Sequence, residues 1–327
     1  MTASAVLVNP ARVQNLGALR RSILRALAED GWPEPTWLQT TPMDTGERQA
    51  LLAVAAGAEV LFVCGGDGTV QAAVAALSGT DAALAVLPSG TGNLLALNLG
   101  LPNDLGAGIR LATRGARRLI DLGEVEGRPF AVATGMGLDA QMLADTPHRA
   151  KHLLGWLAYA AFVVRRLREP RFSVRVRLDG GPWISREVRS VLAANVGRLP
   201  GGITLLPSAL PDDGLLDVAL IGPSRIRDWA RLLASLVGDQ AKGGRIETFR
   251  GHSVEISTDE PQLRELDGEP LGPGRSLRVS VRPRALTVCV APGAEGGPIS
   301  ATRTSHSAGS RRSGSAGKHR RRARYRI

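Results

Sequence analysis

The first third of the chain alternates short apolar runs with segments of helical spacing. Leu19, Ile23 and Leu27, for example, recur at the three- to four-residue spacing of one helix face. Strands that alternate with helices in this way predict an α/β domain, with a parallel sheet and helices on both faces. Strands are predicted at 3–8, 36–41, 59–64 and 83–87, and helices at 16–27, 46–56, 69–77 and 94–99.

Beyond about residue 120 the pattern changes to strands, several of them with two-residue alternation. Two long apolar helix candidates, 151–168 and 225–236, interrupt these strands. The pattern predicts a second, mainly antiparallel and β-sandwich-like domain. The expected organisation is a first domain at 1–125, a second at 126–291 and a tail at 292–327. The predicted strands of the second domain are 172–178, 188–195, 216–221, 253–257, 277–281 and 285–290.

The net charge of +11 lies mostly in the tail, where nine basic residues and no acid follow residue 299. This Gly-, Ser- and Arg-rich tail is predicted to be disordered. Attraction to anionic lipid headgroups, at about 1 kcal/mol per basic residue near the surface, is one role for it. The alternatives are a tail that only increases solubility and a tail that binds nucleic acid non-specifically. The rest of the chain is nearly neutral, which argues against a dedicated nucleic-acid-binding domain.

Several classes of protein are disfavoured by what the chain lacks. Its two cysteines, Cys64 and Cys289, are far apart, so no disulfide framework or cysteine zinc site is expected. The longest apolar run, 153–164, has 12 residues and is too short to cross a bilayer. Burial of this run as a packing helix is favoured over contact with a membrane surface. With no secretory signal visible, we expect a cytoplasmic protein.

Two glycine-rich loops each leave a predicted strand and enter a predicted helix. The first is Gly-Gly-Asp-Gly-Thr at 65–69, and the second is Pro-Ser-Gly-Thr-Gly-Asn at 88–93. Glycines allow close approach of the backbone, and the exposed N–H groups of a helix start favour an anion. Loops at the carboxyl ends of strands in one sheet lie at the same edge. Together they predict a nucleotide-phosphate site without the lysine of a Walker A loop.

These loops and several later motifs resemble the bacterial diacylglycerol kinase-like lipid kinases, a group related to sphingosine kinases. The resemblance covers about residues 4–292. Besides the two glycine loops it includes Asn-Pro at 9–10, Gly-Met-Gly-Leu-Asp-Ala at 135–140, Gly-Gly at 201–202, Asp-Asp-Gly-Leu-Leu-Asp at 212–217 and Asp-Gly-Glu at 267–269. By turn chemistry alone, 211–214 and 267–268 are simply good turns, and the glycine loops good strand–helix turns.

The resemblance implies an enzyme that binds ATP between the two domains. It assigns Glu269 as the general base that takes the proton of the lipid hydroxyl, with Asp267 in the same catalytic triplet. It also implies Mg²⁺ held by Asp213 and by the backbone carbonyls of Leu210 and Leu215. The residues it assigns to the nucleotide are Asn9, Pro10, Thr41, Gly66, Asp67, Gly68, Thr69, Gly90, Thr91, Gly92 and Asn93.

The expected function is an ATP- and Mg²⁺-dependent lipid kinase at the inner face of the membrane, acting on a hydroxyl of diacylglycerol or a similar lipid. The chain departs from the family pattern in two motifs: Val13 replaces a glycine, and Gln71–Ala72 replaces Asn-Glu. The alternatives are a kinase of a soluble substrate, such as a sugar or NAD, and a non-catalytic lipid- or nucleotide-binding regulator. The expected partners are the lipid and its membrane surface, with no specific nucleic acid, and a homodimer is compatible with the sequence.

Overall fold

A computed structural model describes residues 2–13, 15–88, 93–137, 171–198, 204–222 and 246–294. The helices in these residues are α1 Leu16–Glu29, α2 Glu47–Ala55, α3 Asp67–Leu77, α4 Leu94–Asn98 and α5 Leu105–Arg114. The strands are β1 Ser4–Val8, β2 Thr36–Gln39, β3 Val60–Gly65, β4 Ala83–Pro88, β5 Ala116–Val125, β6 Arg128–Phe130, β7 Ala133–Met136, β8 Phe172–Leu178, β9 Ile184–Val188, β10 Ser190–Ala194, β11 Leu216–Ile221, β12 Ile246–Gly251, β13 Ser253–Leu266 and β14 Glu269–Val290.

The N-terminal domain has a parallel sheet in the order β4-β3-β1-β2. Its central strands are buried on both faces, as expected for a sheet covered on each side by helices. Leu7 and Leu61 belong to the core that contains α2 and α3 residues, whereas Val6 and Phe62 belong to the core beside α1 and α5. The predicted α/β domain, with helices on both faces of the sheet, is confirmed.

The C-terminal domain is mainly antiparallel, as predicted. Its strands follow the order β12-β11-β10-β7-β13-β14, with β8 paired to β13 and β9 paired to β8. The long strand β14 also enters the first domain, where Thr287 pairs with Ala83 of β4 in parallel orientation. The two domains therefore share one continuous hydrogen-bonded sheet, and β14 fixes their relative position.

Some predicted boundaries within the second domain are wrong. The strand expected at 188–195 is two strands, because Val188 pairs with β8 whereas Val191 pairs with β7 and β11. The strands expected at 277–281 and 285–290 are parts of β14, whose pairing with β5 is irregular between Arg282 and Leu286. Helix α5 and strands β5, β6, β7 and β12 were not predicted from the sequence, and of β9 only Val188 was.

Other predictions fall outside the described residues. These are the helix candidates 151–168 and 225–236, the apolar run 153–164 and nearly all of the tail. In the part of the chain that the structure describes, no helix combines the length and apolar character that a membrane span requires.

The contact between Gly123 and the Phe130 ring offers a test of the packing between β5 and β6. Gly123 pairs with Phe130, and a Cβ at Gly123 would lie 2.0 Å from the buried Phe130 ring. We expect Gly123→Ala to destabilise the protein by about 2 kcal/mol through overpacking, measured by chemical denaturation. The control is Gly106→Ala in α5, where the nearest atom is the end of the Arg110 side chain and stability should stay level or rise. Equal stability of Gly123→Ala and the native protein would contradict this packing.

Candidate functional site

The first glycine loop, the Asn-Pro turn and the described ends of the second glycine loop, Pro88 and Asn93, lie together at the carboxyl edge of the parallel sheet. The Asn9 N–H donates to the Cys64 carbonyl at 2.9 Å, which joins the ends of β1 and β3. The Asn93 side-chain amide donates to the Gly65 carbonyl at 3.3 Å, and Asp67 Oδ1 accepts the Leu94 N–H at 2.7 Å. Asp67 and Asn93 therefore connect the first glycine loop to the start of α4.

The first glycine loop is shaped by close contact with its own helix. A Cβ at Gly65 would lie 2.5 Å from the Thr69 hydroxyl, so only glycine fits there. This allows α3 to begin at Asp67, directly after the strand. The first N–H groups of a helix have no partner within it, so this start favours an anion. Thr69 itself is buried.

The Asp-Gly-Glu motif forms the hairpin turn between β13 and β14. Asp267 and Gly268 both have positive φ, 48° and 85°, and Leu266 pairs with Glu269 across the turn. This is the conformation that two-residue Asp-Gly hairpins adopt. The turn ends with Glu269 facing the first domain, because its Oε1 would lie 3.5 Å from a Cβ at Gly68.

Asp267 is partly exposed as a residue, but its carboxylate is desolvated and accepts three backbone hydrogen bonds. Its carboxylate receives the N–H groups of Ala131, Val132 and Ala133, each at 2.9 Å. These bonds lower the pKa of Asp267, but burial outweighs them, and with a smaller contribution from the charge of Asp67 the pKa is raised to about 6.

A cavity of about 230 Å³ lies between the glycine loop and the hairpin turn. Glu269 lines it and lies 3.5 Å from the Arg128 guanidinium. Several of its lining residues could not be predicted from the sequence, since they come from segments without motifs. The lining is formed by Thr45, Glu47, Gly68, Gln71, Ala72, Ala75, Ser78, Gly127, Arg128, Pro129, Glu269 and Arg282. A much smaller cavity beside it is lined by both Asp67 and Asp267.

Two amide side chains at the site have a buried oxygen without a partner. The Gln71 amide donates to the Pro129 carbonyl at 2.6 Å, which leaves Gln71 Oε1 unpaired. Asn93 Oδ1 is also unpaired. Because a buried polar atom without a partner is costly, both oxygens are candidate acceptors for a ligand. Gln71, first noted as a departure from the family pattern, lines both cavities.

Two of the other predicted nucleotide residues form local turns. Asn9 Oδ1 accepts the Ala11 N–H, and Thr41 Oγ1 accepts the N–H groups of Met43 and Asp44. Pro10 is exposed, and neither it nor Asn9 nor Thr41 lines the two cavities. Gly90, Thr91 and Gly92 are outside the described residues. Contact of these residues with a nucleotide stays a prediction.

The residues predicted to hold Mg²⁺ lie on a separate loop beside β5. Asp213 Oδ1 accepts the Leu215 N–H at 3.0 Å, and its other oxygen pairs with the Arg250 guanidinium. Within the described ranges, no three Asp, Glu, His or Cys side chains converge on a common point. Both oxygens of Asp213 thus have partners within the chain, and Leu210 and Leu215 line neither cavity, so Mg²⁺ binding by these residues stays a prediction.

The match to known families follows the division into two domains. Residues 4–125 match the diacylglycerol kinase catalytic domain, and 131–290 match the YegS C-terminal NAD kinase β-sandwich-like domain. The chain belongs to the diacylglycerol kinase-like lipid kinase family. It is therefore a kinase, a phosphotransferase, as the motifs indicated.

Relatives and a solved structure agree with this membership. A protein of Pseudomonas syringae pv. syringae named "Probable lipid kinase YegS-like" is 35% identical, over 83% of this chain and 89% of its own length. A protein with the same name from Pseudomonas aeruginosa PAO1 is 36% identical, over 72% of this chain and 78% of its own length. The crystal structure of a diacylglycerol kinase from Bacillus anthracis shares the fold, with a TM-score of 0.72 and 23% identity over 89% of this chain and 97% of that one.

A further carboxylate at the kinase site carries no sequence signal of its own. Glu265 is buried near Asp267, and its Oε2 accepts the Gly268 N–H at 2.9 Å. Burial raises the pKa of Glu265 to about 7, with a smaller contribution from the charge of Asp267. It stands near the end of β13 in a polar stretch, and only the folded hairpin places it under the turn.

This shift predicts how stability depends on pH. Between the ordinary pKa of 4.5 and about 7, the folded state holds the Glu265 proton more tightly than the unfolded state. The free energy of unfolding therefore falls as the pH rises through this window, by at most about 3 kcal/mol. Glu265→Gln should remove this part of the pH dependence, so its Tm should exceed that of the native protein at pH 8 and approach it at pH 5. Exposed Glu260→Gln is the control, and an unchanged slope in Glu265→Gln would refute the assignment.

Proposed function

We propose that this kinase transfers the γ-phosphate of ATP, supplied as its Mg²⁺ complex, to a hydroxyl of diacylglycerol or a similar lipid. The observation that carries the proposal is the position of Glu269. Its carboxylate faces Gly68, in the first turn of the helix that follows the glycine loop. A phosphate bound at that helix start and a hydroxyl beside Glu269 would be neighbours.

The chemistry then requires little of the protein beyond positioning and charge. The lipid hydroxyl oxygen attacks the γ-phosphorus, the bond to the β-phosphate oxygen breaks, and ADP leaves. Glu269 Oε1 or Oε2 accepts the hydroxyl proton as the new P–O bond forms. The Glu269 side chain is 39% exposed, so it remains accessible to an acceptor that enters the cavity.

Arginines supply positive charge around the cavity. The chain has only three lysines, none of them in a glycine loop, whereas Arg128 and Arg282 both line the cavity beside Glu269. Arg128 also holds the Glu269 carboxylate at 3.5 Å, and Arg282 pairs with Glu124 at 3.3 Å. Because charge neutralisation dominates phosphoryl transfer, these side chains support the proposed reaction.

We further propose that the enzyme meets its lipid at the inner surface of the membrane. The nine basic residues after residue 299 would attract anionic headgroups, at about 1 kcal/mol for each residue near the surface. This attraction weakens with salt. It would concentrate the enzyme at the surface from which the lipid enters the cavity.

The test follows label transfer from γ-labelled ATP to diacylglycerol in mixed vesicles, with the full-length protein. Glu269→Gln keeps the shape of the side chain but removes the base, so transfer should fall by about 100-fold or more. ATP binding, measured by equilibrium dialysis, should stay within a few-fold of the native value. Glu260→Gln is the matched control, because it makes the same change on an exposed site of β13 and should keep full transfer.

Three results would contradict the proposal in different ways. Faster labelling of a sugar or NAD than of lipid would identify a soluble-substrate kinase. ATP binding without transfer to any acceptor would identify a regulator. Full lipid labelling by Glu269→Gln would retain the lipid kinase but exclude Glu269 as its base.

A further inference from the structure

The loop at 211–215 of the second domain is paired with a cation from another strand. Arg250 on β12 contacts the carboxylates of both Asp213 and Asp217. We propose that the Arg250 guanidinium supplies, from within the chain, the positive charge for which the family resemblance implies Mg²⁺ at Leu210, Asp213 and Leu215. The loop then takes its shape without a bound metal ion. This inference is independent of the proposed reaction.

Strand register fixes the position of Arg250. It stands directly opposite Asp217 in the antiparallel pair of β11 and β12. Its Nε donates to Asp217 Oδ2 at 3.2 Å, and its Nη2 pairs with Asp213 Oδ2. Asp217 is almost fully buried, so its charge needs a partner, and the neighbouring carboxylates raise the pKa of Arg250 despite its partial burial.

Three further oxygen atoms near Arg250 already have hydrogen-bond partners. Asp213 Oδ1 accepts the Leu215 N–H, and Asp217 Oδ1 accepts the Ser208 hydroxyl at 2.7 Å. The Gly214 carbonyl lies 2.9 Å from His252 Nδ1. A magnesium ion needs near-octahedral oxygen ligands at about 2.1 Å. It would have to displace the guanidinium from Asp213. The two cations repel each other, so the carboxylate does not readily bind both at once.

The loop that Arg250 orders is connected to the hairpin turn of Glu269. Asp121 Oδ2 accepts the Gly214 N–H at 2.6 Å, and the Asn195 amide donates to the carbonyls of Asp121 at 2.7 Å and Ala131 at 3.3 Å. The Ala131 N–H in turn donates to Asp267. Arg250 is therefore linked to the hairpin turn only through the loop and the bonds of Asp121 and Asn195, and it does not line the cavity.

A second ion pair holds the other acid of the loop. The buried Arg118 guanidinium donates to Asp212 Oδ2 from two nitrogens, at 2.8 and 3.0 Å. Adjacent acids of the Asp-Asp-Gly segment thus each have their own arginine. The same segment that resembles a magnesium loop in sequence is a doubly arginine-paired turn in this chain.

The experiment measures the Tm of the full-length protein, free of nucleotide and lipid, in EDTA and in MgCl₂. The native Tm should be the same in both. Arg250→Ala should lower the Tm in EDTA by several degrees, and Mg²⁺ should recover part of that loss by binding the exposed carboxylates. Arg250→Lys should keep most of the Tm without Mg²⁺, because it keeps the charge. The control is Arg186→Ala, whose partner Glu247 is also on β12 but half exposed, and which should show no response to Mg²⁺.

Two outcomes overturn the inference. One is a rise of the native Tm with Mg²⁺ that Asp213→Asn abolishes, because a metal then binds beside Arg250. The other is an Arg250→Ala protein that folds but shows no Mg²⁺ response. Should Arg250→Ala fail to fold, Mn²⁺ binding by electron paramagnetic resonance decides: equal binding by the native and Asp213→Asn proteins supports the inference, and binding lost in Asp213→Asn refutes it. Since neither assay contains ATP or lipid, failure here leaves the proposed function untouched.

Discussion

The site depends on three hydrogen bonds from consecutive backbone N–H groups to one carboxylate. Asp267 accepts them from residues 131–133, where the chain passes from β6 to β7. A buried carboxylate is costly, and the raised pKa of Asp267 shows that the three bonds offset only part of that cost. In return, the hairpin turn and the strand crossover are held as one rigid unit. Glu269 follows this unit by two residues, so its position in the cavity depends on it.

The same bonds continue away from the cavity in two directions. Toward the first domain, Asp267 is close enough to Asp67 for the charge of one to affect the other, and Asp67 connects the first glycine loop to α4. Toward the second, Ala131 shares the Asn195 amide with Asp121, which holds the loop that Arg250 orders. The fold thus connects the first glycine loop, Glu269 and the Asp-Asp-Gly loop through a series of polar contacts.

The sequence could predict the parts of this arrangement that depend on residues close together in the chain, but not the parts that depend on distant pairs. Local signals were sufficient to predict the parallel domain, since apolar strand segments, helix spacing and glycine loops each involve residues close together in the sequence. Motifs were sufficient to indicate Glu269 and Asp67 as candidate site residues. Nothing local indicates that Asp267 bonds a segment 136 residues away, or that Arg250 stands opposite Asp217. The pairing of Asp213 with Arg250 could not be predicted for this reason, because a motif records the acid but not the arginine that another strand brings to it.

Differences in burial give the carboxylates at the site different roles. Four of them, Asp67, Glu265, Asp267 and Glu269, surround a place where a polyphosphate would bring further negative charge. Burial raises the pKa of Glu265 to about 7 and that of Asp267 to about 6, so near neutral pH they hold protons part of the time. This lowers the negative charge beneath the turn without removing the hydrogen-bond acceptors that shape it. Glu269, partly exposed and next to Arg128, is left as the carboxylate that can meet a substrate proton. Two acids therefore shape the turn and the third is the proposed base, although all three lie within five residues of the same hairpin.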